Sequence, residues 1–349
     1  MFKTHGRVKE AGRKFRHAVG FTKTYNLCLF ILTAGALFGF VLARLEYLNI
    51  DGVYCKPGDN GALPGECLLY SKPSVERIGI ILHLGGILPA GFLVCFQFVP
   101  KIRQKIILVH RVNGYAVLLL SVIGTVGALM IARKAVGGSI PSQTIIGVYS
   151  IYFLGCLAMG YINIKKRNIS QHRAWMLRAW VSASAIITTR PIMILVAVII
   201  SPDSYWVVRS CEAIAYMIDD PSDIKDSYPS CAPYVDGSSQ DQVSPVRARL
   251  AGASDTAEVA AALEVGFVTG LWLAFLIHVA LTELYLQLTA PAKQVSPGVS
   301  VEESVQEGIQ KPRDEENNKG DDAGNDLVSD MPGTKTDMRL GYQATDARA

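Results

Sequence analysis

Apolar positions along the chain fall into six long runs, at about residues 26–45, 79–99, 110–132, 145–164, 175–200 and 260–281. Charged or turn-rich segments separate them. A helix needs about 20 apolar residues to cross the hydrocarbon core of a bilayer, and a soluble core rarely calls for so many runs of that length. The pattern predicts an all-α polytopic integral membrane protein, a six-helix transmembrane bundle whose first partner is the lipid bilayer. Residues 1–25 read as a basic N-terminal segment, either an interfacial helix or disordered. Residues 26–288 read as the membrane domain, with long loops at 46–78 and 201–258. The tail 289–349 is rich in Glu, Asp, Gly, Lys, Asn and Ser with almost no aromatic residue. Such a segment buries too little apolar surface to offset its ordering entropy, so it is expected to be disordered.

Charge changes the picture by giving the spans a direction. Lys and Arg concentrate in cytosolic loops close to spans. Here they gather in the N-terminal segment, in the loop with Lys101, Arg103 and Lys105, and in the loop with Lys165, Lys166 and Arg167. Six spans put these segments and the C-terminal tail on one side, which predicts both termini in the cytosol. The first span then serves as an uncleaved anchor, since no small-residue cleavage site follows it. The net charge of +4 is needed to explain topology and to meet anionic headgroups, which argues against nucleic acid as a partner.

The cysteines point the same way. Of seven, Cys28, Cys95 and Cys156 fall inside apolar runs. The other four pair by position, Cys55 with Cys67 and Cys211 with Cys231, in the two long loops that the charge rule puts outside. Disulfides persist in that compartment, so a eukaryotic secretory-pathway or plasma membrane is expected. Whether each loop closes on itself or the two are bridged stays open. Asn168-Ile169-Ser170 matches a glycosylation acceptor but lies in a short cytosolic loop, and is expected to go unused.

Candidate chemistry is confined to a few polar residues inside the spans. His83, His110, His172 and His278 sit in or at the ends of four different spans, and two of those spans begin with the same dipeptide, His110-Arg111 and His172-Arg173. Two neutral imidazoles from facing helices commonly hold a haem b, so four histidines suggest two haems and an electron path across the membrane. His110 and His172 share the cytosolic boundary and form one candidate axial pair. His83 and His278 differ in depth by on the order of 9 Å at 1.5 Å per residue, which makes the weaker second pair. The alternative is that the two His-Arg pairs are interfacial anchors with polar tips at the headgroups.

A second set suggests a substrate cavity instead of a cofactor. His83 and Gln97 are four helical turns apart and share a face. Arg190 lies well inside the fifth run, five turns after His172 and on the same helical face, and an arginine there is expected to face the bundle interior and find an acceptor. Glu264 of the last run, a haem propionate or an anionic ligand is the candidate acceptor. Pro191 is expected to kink the helix nearby, and Gly85, Gly86 and Gly91 to let helices approach closely. The sequence contains no nucleophile–base pair, phosphate loop or Cys-x-x-Cys motif. Histidines without clustered carboxylates do not suggest hydrolytic zinc.

Gln97-Phe98-Val99-Pro100 followed by His110-Arg111-x-x-Gly114-Tyr115, with Gln171-His172-Arg173-Ala174-Trp175-Met176-Leu177-Arg178-Ala179 and a later Arg190, resembles the predicted membrane proteins of domain-of-unknown-function family 2306. The resemblance spans about residues 83–200. The long cysteine-bearing loops and the charged tail look like fungal members of that family. It implies an architecture and a set of positions but no reaction. In plan, the histidine-bearing helices are also similar to two-haem cytochrome b families. Two functions follow as expectations: haem-b-dependent transmembrane electron transfer, with an electron donor as partner, or cofactor-free binding or transport of a small molecule by His83, Gln97, Arg190 and Glu264. A purely structural membrane protein is the remaining alternative.

Overall fold

The computed structural model describes residues 2–56, 61–202, 205–218 and 220–289. The tail expected to be disordered lies outside the described residues, save for Thr289 at the end of the final helix. The N-terminal segment is helix α1, Phe2–Val19. Six helices long and apolar enough to cross a membrane follow. They are α2 (Thr24–Leu42), α3 (Val75–Gln97), α5 (Ile107–Ile131), α6 (Ile140–Lys165), the pair α7 (Ile169–Ala183) and α8 (Ala185–Ile200), and α12 (Thr256–Thr289). A short helix α4, Pro100–Lys105, turns the chain between α3 and α5. The all-α six-span reading therefore stands.

Local chemistry sets the helix starts. Ser74 and Ser139 cap α3 and α6 by accepting from the backbone N–H of Arg77 and Ser142. Asn168 caps α7 by accepting from Gln171 N–H at 3.2 Å, so the glycosylation-like triplet has a folding role. The outward faces carry large apolar side chains, among them Leu32, Leu119, Ile151, Leu195 and Leu281, all more than half exposed. Apolar residues on the outside of a bundle are the arrangement that lipid, not water, requires.

Inside, small residues bring backbones together. A Cβ on Gly86 of α3 would run into the backbone of Gly124 and Leu120 in α5, and one on Gly266 of α12 would meet the Met193 carbonyl of α8. These two seams tie α3 to α5 and α8 to α12. Of the expected close-approach glycines, Gly85 faces open space.

The fifth span is broken, and not where expected. The helix stops at Ser184, seven residues before Pro191, and α8 restarts through a tighter Ile187 N–H to Ser184 C=O bond at 3.0 Å. Pro191 has no N–H for the Ile187 carbonyl and its ring crowds it, so the irregularity is displaced into the preceding turn. There serines compete for backbone: Ser184 Oγ donates to Val181 O at 2.7 Å and Ser182 Oγ to Ala179 O at 2.8 Å.

Two loops cover one end of the bundle, called the cap end below. The first closes on itself through Cys55–Cys67, and folds as short 3₁₀ and π-helical turns around buried Tyr70. The second closes on itself through Cys211–Cys231. It contains an antiparallel ribbon of β1 (Trp206–Ser210) and β2 (Val243–Arg247) with the short helices α9 (Cys211–Met217), α10 (Pro221–Ser227) and α11 (Ala232–Val235) between them. Both disulfides therefore lie within single loops.

Candidate functional site

All six spans contribute to a cavity of about 310 Å³ in the cap-end half of the bundle. Its floor is apolar: Leu37 of α2, Leu88 of α3, Phe153 of α6, Trp180 of α7 and Leu271 of α12. Its roof comes from the first cap loop and carries Arg44, Tyr47, Tyr54, Glu66 and Tyr70. The volume sits at the lower end of the roughly 300–1,000 Å³ usual for small-molecule sites.

Arg190 of α8 projects into this space. Its guanidinium lies over the Phe267 ring, 5.6 Å from the centroid, and its Nε is buried without a hydrogen-bond partner among the described residues. The groups near enough to act on it electrostatically are Arg44, Tyr54 and Tyr47. Arg44 donates to Tyr47 Oη at 2.6 Å and also stacks on that ring. Neither guanidinium has a carboxylate partner among the described residues. Of the three candidate acceptors for Arg190, Glu264 is taken by another cation: it is ion-paired with Arg209 of β1. The cap strand, whose side chains no sequence pattern assigned to the bundle, reaches the carboxylate first.

Glu66 sits in the roof, only 8% exposed. One carboxylate oxygen accepts from Val136 N–H and the other from Tyr70 Oη at 3.1 Å. Burial pushes its carboxyl up to about 7, and the neighbouring Glu264 charge adds to this against the hydrogen bonds and Arg209. Burial likewise raises the Tyr54 and Tyr70 phenols. Beyond Glu66 lies a second, polar space of about 470 Å³ lined by Arg133, Lys134, Arg209, Glu212 and Glu264. Among the described residues Glu66 alone lines both spaces.

The four candidate histidines separate. His83 lines the cavity, with Nδ1 2.8 Å from Gly124 O. His278 braces the broken span: Nδ1 lies 2.7 Å from Val181 O in α7, and Nε2 2.9 Å from Thr188 Oγ1 in α8. With both nitrogens engaged it has none open for iron, so the residues do not fit a haem between His83 and His278. Tyr149 helps in the same way, donating to Ser182 O at 2.6 Å. Non-helical backbone at membrane depth requires such replacement partners.

His110 and His172 lie at the opposite end, close enough to interact electrostatically. His172 Nδ1 is 2.8 Å from Gly160 O, whereas His110 Nδ1 is buried without a partner. Gln97 is not in the cavity; its Nε2 donates to the His110 carbonyl at 3.0 Å. A shared face for His172 and Arg190 requires an unbroken helix, and the break at Ser184 removes that premise. The sequence reading missed Arg44, Tyr54 and Glu66. The signal for them was an arginine just after the first span and three tyrosines in the loop that follows it. It also missed Glu283, which pairs with Arg178 through two contacts of 2.5 and 2.8 Å.

A family model described as a predicted membrane protein (DUF2306) matches residues 80–218. That stretch runs from within α3 to the end of α9 in the second cap loop, and so takes in His83, Arg190 and the break at Ser184, while Arg44, Glu66 and Phe267 lie outside it. No curated protein and no solved structure matches the chain.

Proposed function

We propose that this integral membrane protein binds a small molecule in the cap-end cavity without a resident cofactor, as the binding step of a carrier or receptor. One observation carries the reading: Arg190 presents an uncompensated guanidinium to a mostly apolar cavity. An ionised group at membrane depth is costly unless an acceptor meets it, and no residue of the described chain fills that role. A broken helix beside the cavity adds support, because discontinuous helices often flank substrate sites in transporters. The cap end is taken as the external face, on the basic loops at the opposite end and the two cap disulfides. The test is organic extraction of the purified full-length protein followed by mass spectrometry. A near-stoichiometric small molecule is expected in the wild type and absent in the cavity-filling Ala128→Phe. Extracts of the two proteins that do not differ would overturn the reading.

A second reading, haem b held by His110 and His172, is favoured by the bare Nδ1 of His110 beside His172. His172 uses Nδ1 on a backbone carbonyl, the usual way to leave Nε2 for a metal. A haem there would supply one-electron chemistry. The protein purified with haem supplied would then show a Soret band that His172→Ala abolishes; a colourless preparation sinks this reading.

A further inference from the structure

Resting on the cavity reading above, we infer that the ligand is an amphiphile with a single anionic head, seated head-up between Arg190 and Arg44 with its apolar chain running down to Trp180. Charge within the cavity is sorted by depth, although the uncharged Thr125, Tyr149 and Ser150 also line it. Arg44, Tyr47 and Tyr54 belong to the roof, and Trp180, Phe153 and Leu88 to the floor. Along the fifth span Trp180, Ala183, Ile186 and Arg190 all line the cavity. From Trp180 to Arg190 the rise is roughly 15 Å at 1.5 Å per residue, which suits a chain of medium length. A purely apolar guest would leave the Arg190 guanidinium bare, and a compact polar anion would leave the floor unfilled. Only a molecule with both parts satisfies both ends.

The one carboxylate in the wall does not compete for this role. Glu66 turns its two oxygens to Val136 N–H and Tyr70 Oη, and the charges that act on it are those of Glu264 and Arg209. Glu264 is held by Arg209. His83 points a ring nitrogen at Gly124 O. The cavity field is therefore set by two cations, which attract one anionic group and repel a cationic one. A carboxylate and a phosphate share the needed chemistry, since a guanidinium fork binds either.

The test uses the full-length protein in phosphatidylcholine nanodiscs and bromine-tailed dodecanoate, dodecyl phosphate and dodecanol, read as quenching of tryptophan fluorescence. A saturable quenching component that Trp180→Phe removes identifies occupancy of the floor. The expected result is such a component with dodecanoate, dodecyl phosphate or both, at least tenfold weaker with dodecanol. Arg190→Gln weakens the anionic probes at least tenfold, and Arg190→Lys restores most of the loss, which guards against a folding defect. The stronger of the two anions identifies the head. Equal binding of dodecanol and both anions, unchanged in Arg190→Gln, overturns the anionic head while leaving the cavity reading intact. No saturable, Trp180-dependent component with any probe overturns both.

Discussion

The fifth span carries two interior arginines, and the bundle treats them in opposite ways. Arg178, on α7, lies over the Trp175 ring and is gripped by both oxygens of Glu283. Arg190, on α8, has an aromatic face under it and no acceptor among the described residues. The difference extends to their surroundings. Around Arg178 the helices bind one another through paired polar groups, such as Tyr285 Oη donating to Asn26 Oδ1 at 3.1 Å. Around Arg190 they part to leave a cavity roofed in part by the buried acid Glu66. A charge that is paired contributes to the fold, whereas a bare one is held by the rest of the fold and kept available. The contrast separates a half of the bundle whose charges are paired from a half that holds a cavity.

The largest effect that sharpens this contrast is the pH dependence of Glu66. Its carboxyl is raised from an ordinary 4.5 to about 7, so the folded state holds its proton more tightly than the unfolded state. Stability from this group is greatest below about pH 4.5 and is lost as pH rises towards 7, by on the order of 3 kcal/mol in all. Thermal melts of Glu66→Gln and wild type in detergent are expected to coincide near pH 4.5. They separate in favour of the variant by pH 7 and stay parallel above it. Parallel curves from pH 4.5 upward would show that Glu66 is not held in a dry environment.

Next comes the pair of arginines itself. Arg178→Ala leaves Glu283 without its partner and is expected to cost about 2 kcal/mol, less than a fully buried pair because the side chains are 19% and 38% exposed. Arg190→Met removes a charge that nothing compensates, so stability changes by about 1 kcal/mol or less, or rises. Melting temperatures of the two variants read the difference directly, and a larger loss in Arg190→Met than in Arg178→Ala would break the comparison. A smaller effect belongs to His278, which spans the border between the halves. His278→Ala strips partners from Val181 O and Thr188 Oγ1, at about 1–2 kcal/mol. Faster hydrogen exchange around Ser184 in that variant is the confirming observation, and unchanged exchange there would deny His278 its bracing role.

The resemblance carried by His110-Arg111 and Gln171–Ala179 falls within the stretch that the family model covers, so those positions are legible as motifs in the sequence. Their contacts are not. His172 serves the Gly160 carbonyl and Gln97 the His110 carbonyl, and nothing in a span that is apolar on every side reveals which neighbour a polar residue will meet. Ser182, Ser184 and Thr188 near Pro191 are a visible sign of backbone irregularity, but the proline points to the wrong turn. Glu264 and Arg190 stand out in the sequence as charges inside spans, yet which cation Glu264 meets is not legible there, because Arg209 lies in a loop whose ribbon no local pattern announces.

The sequence by itself determined the number of spans, their approximate ends and the two loops that carry disulfides. Each of these follows from a local requirement: lipid demands about 20 apolar residues per helix, caps need Ser or Asn, and cysteines in one loop are neighbours. Only the tertiary structure decided which interior charges are satisfied and which are bare. That depends on side chains distant in sequence: Glu283 for Arg178, Arg209 for Glu264, and, among the described residues, none for Arg190. Whether a buried charge is a strut or a site is fixed by its nearest acceptor, and distance in space is the one quantity a hydropathy pattern does not contain.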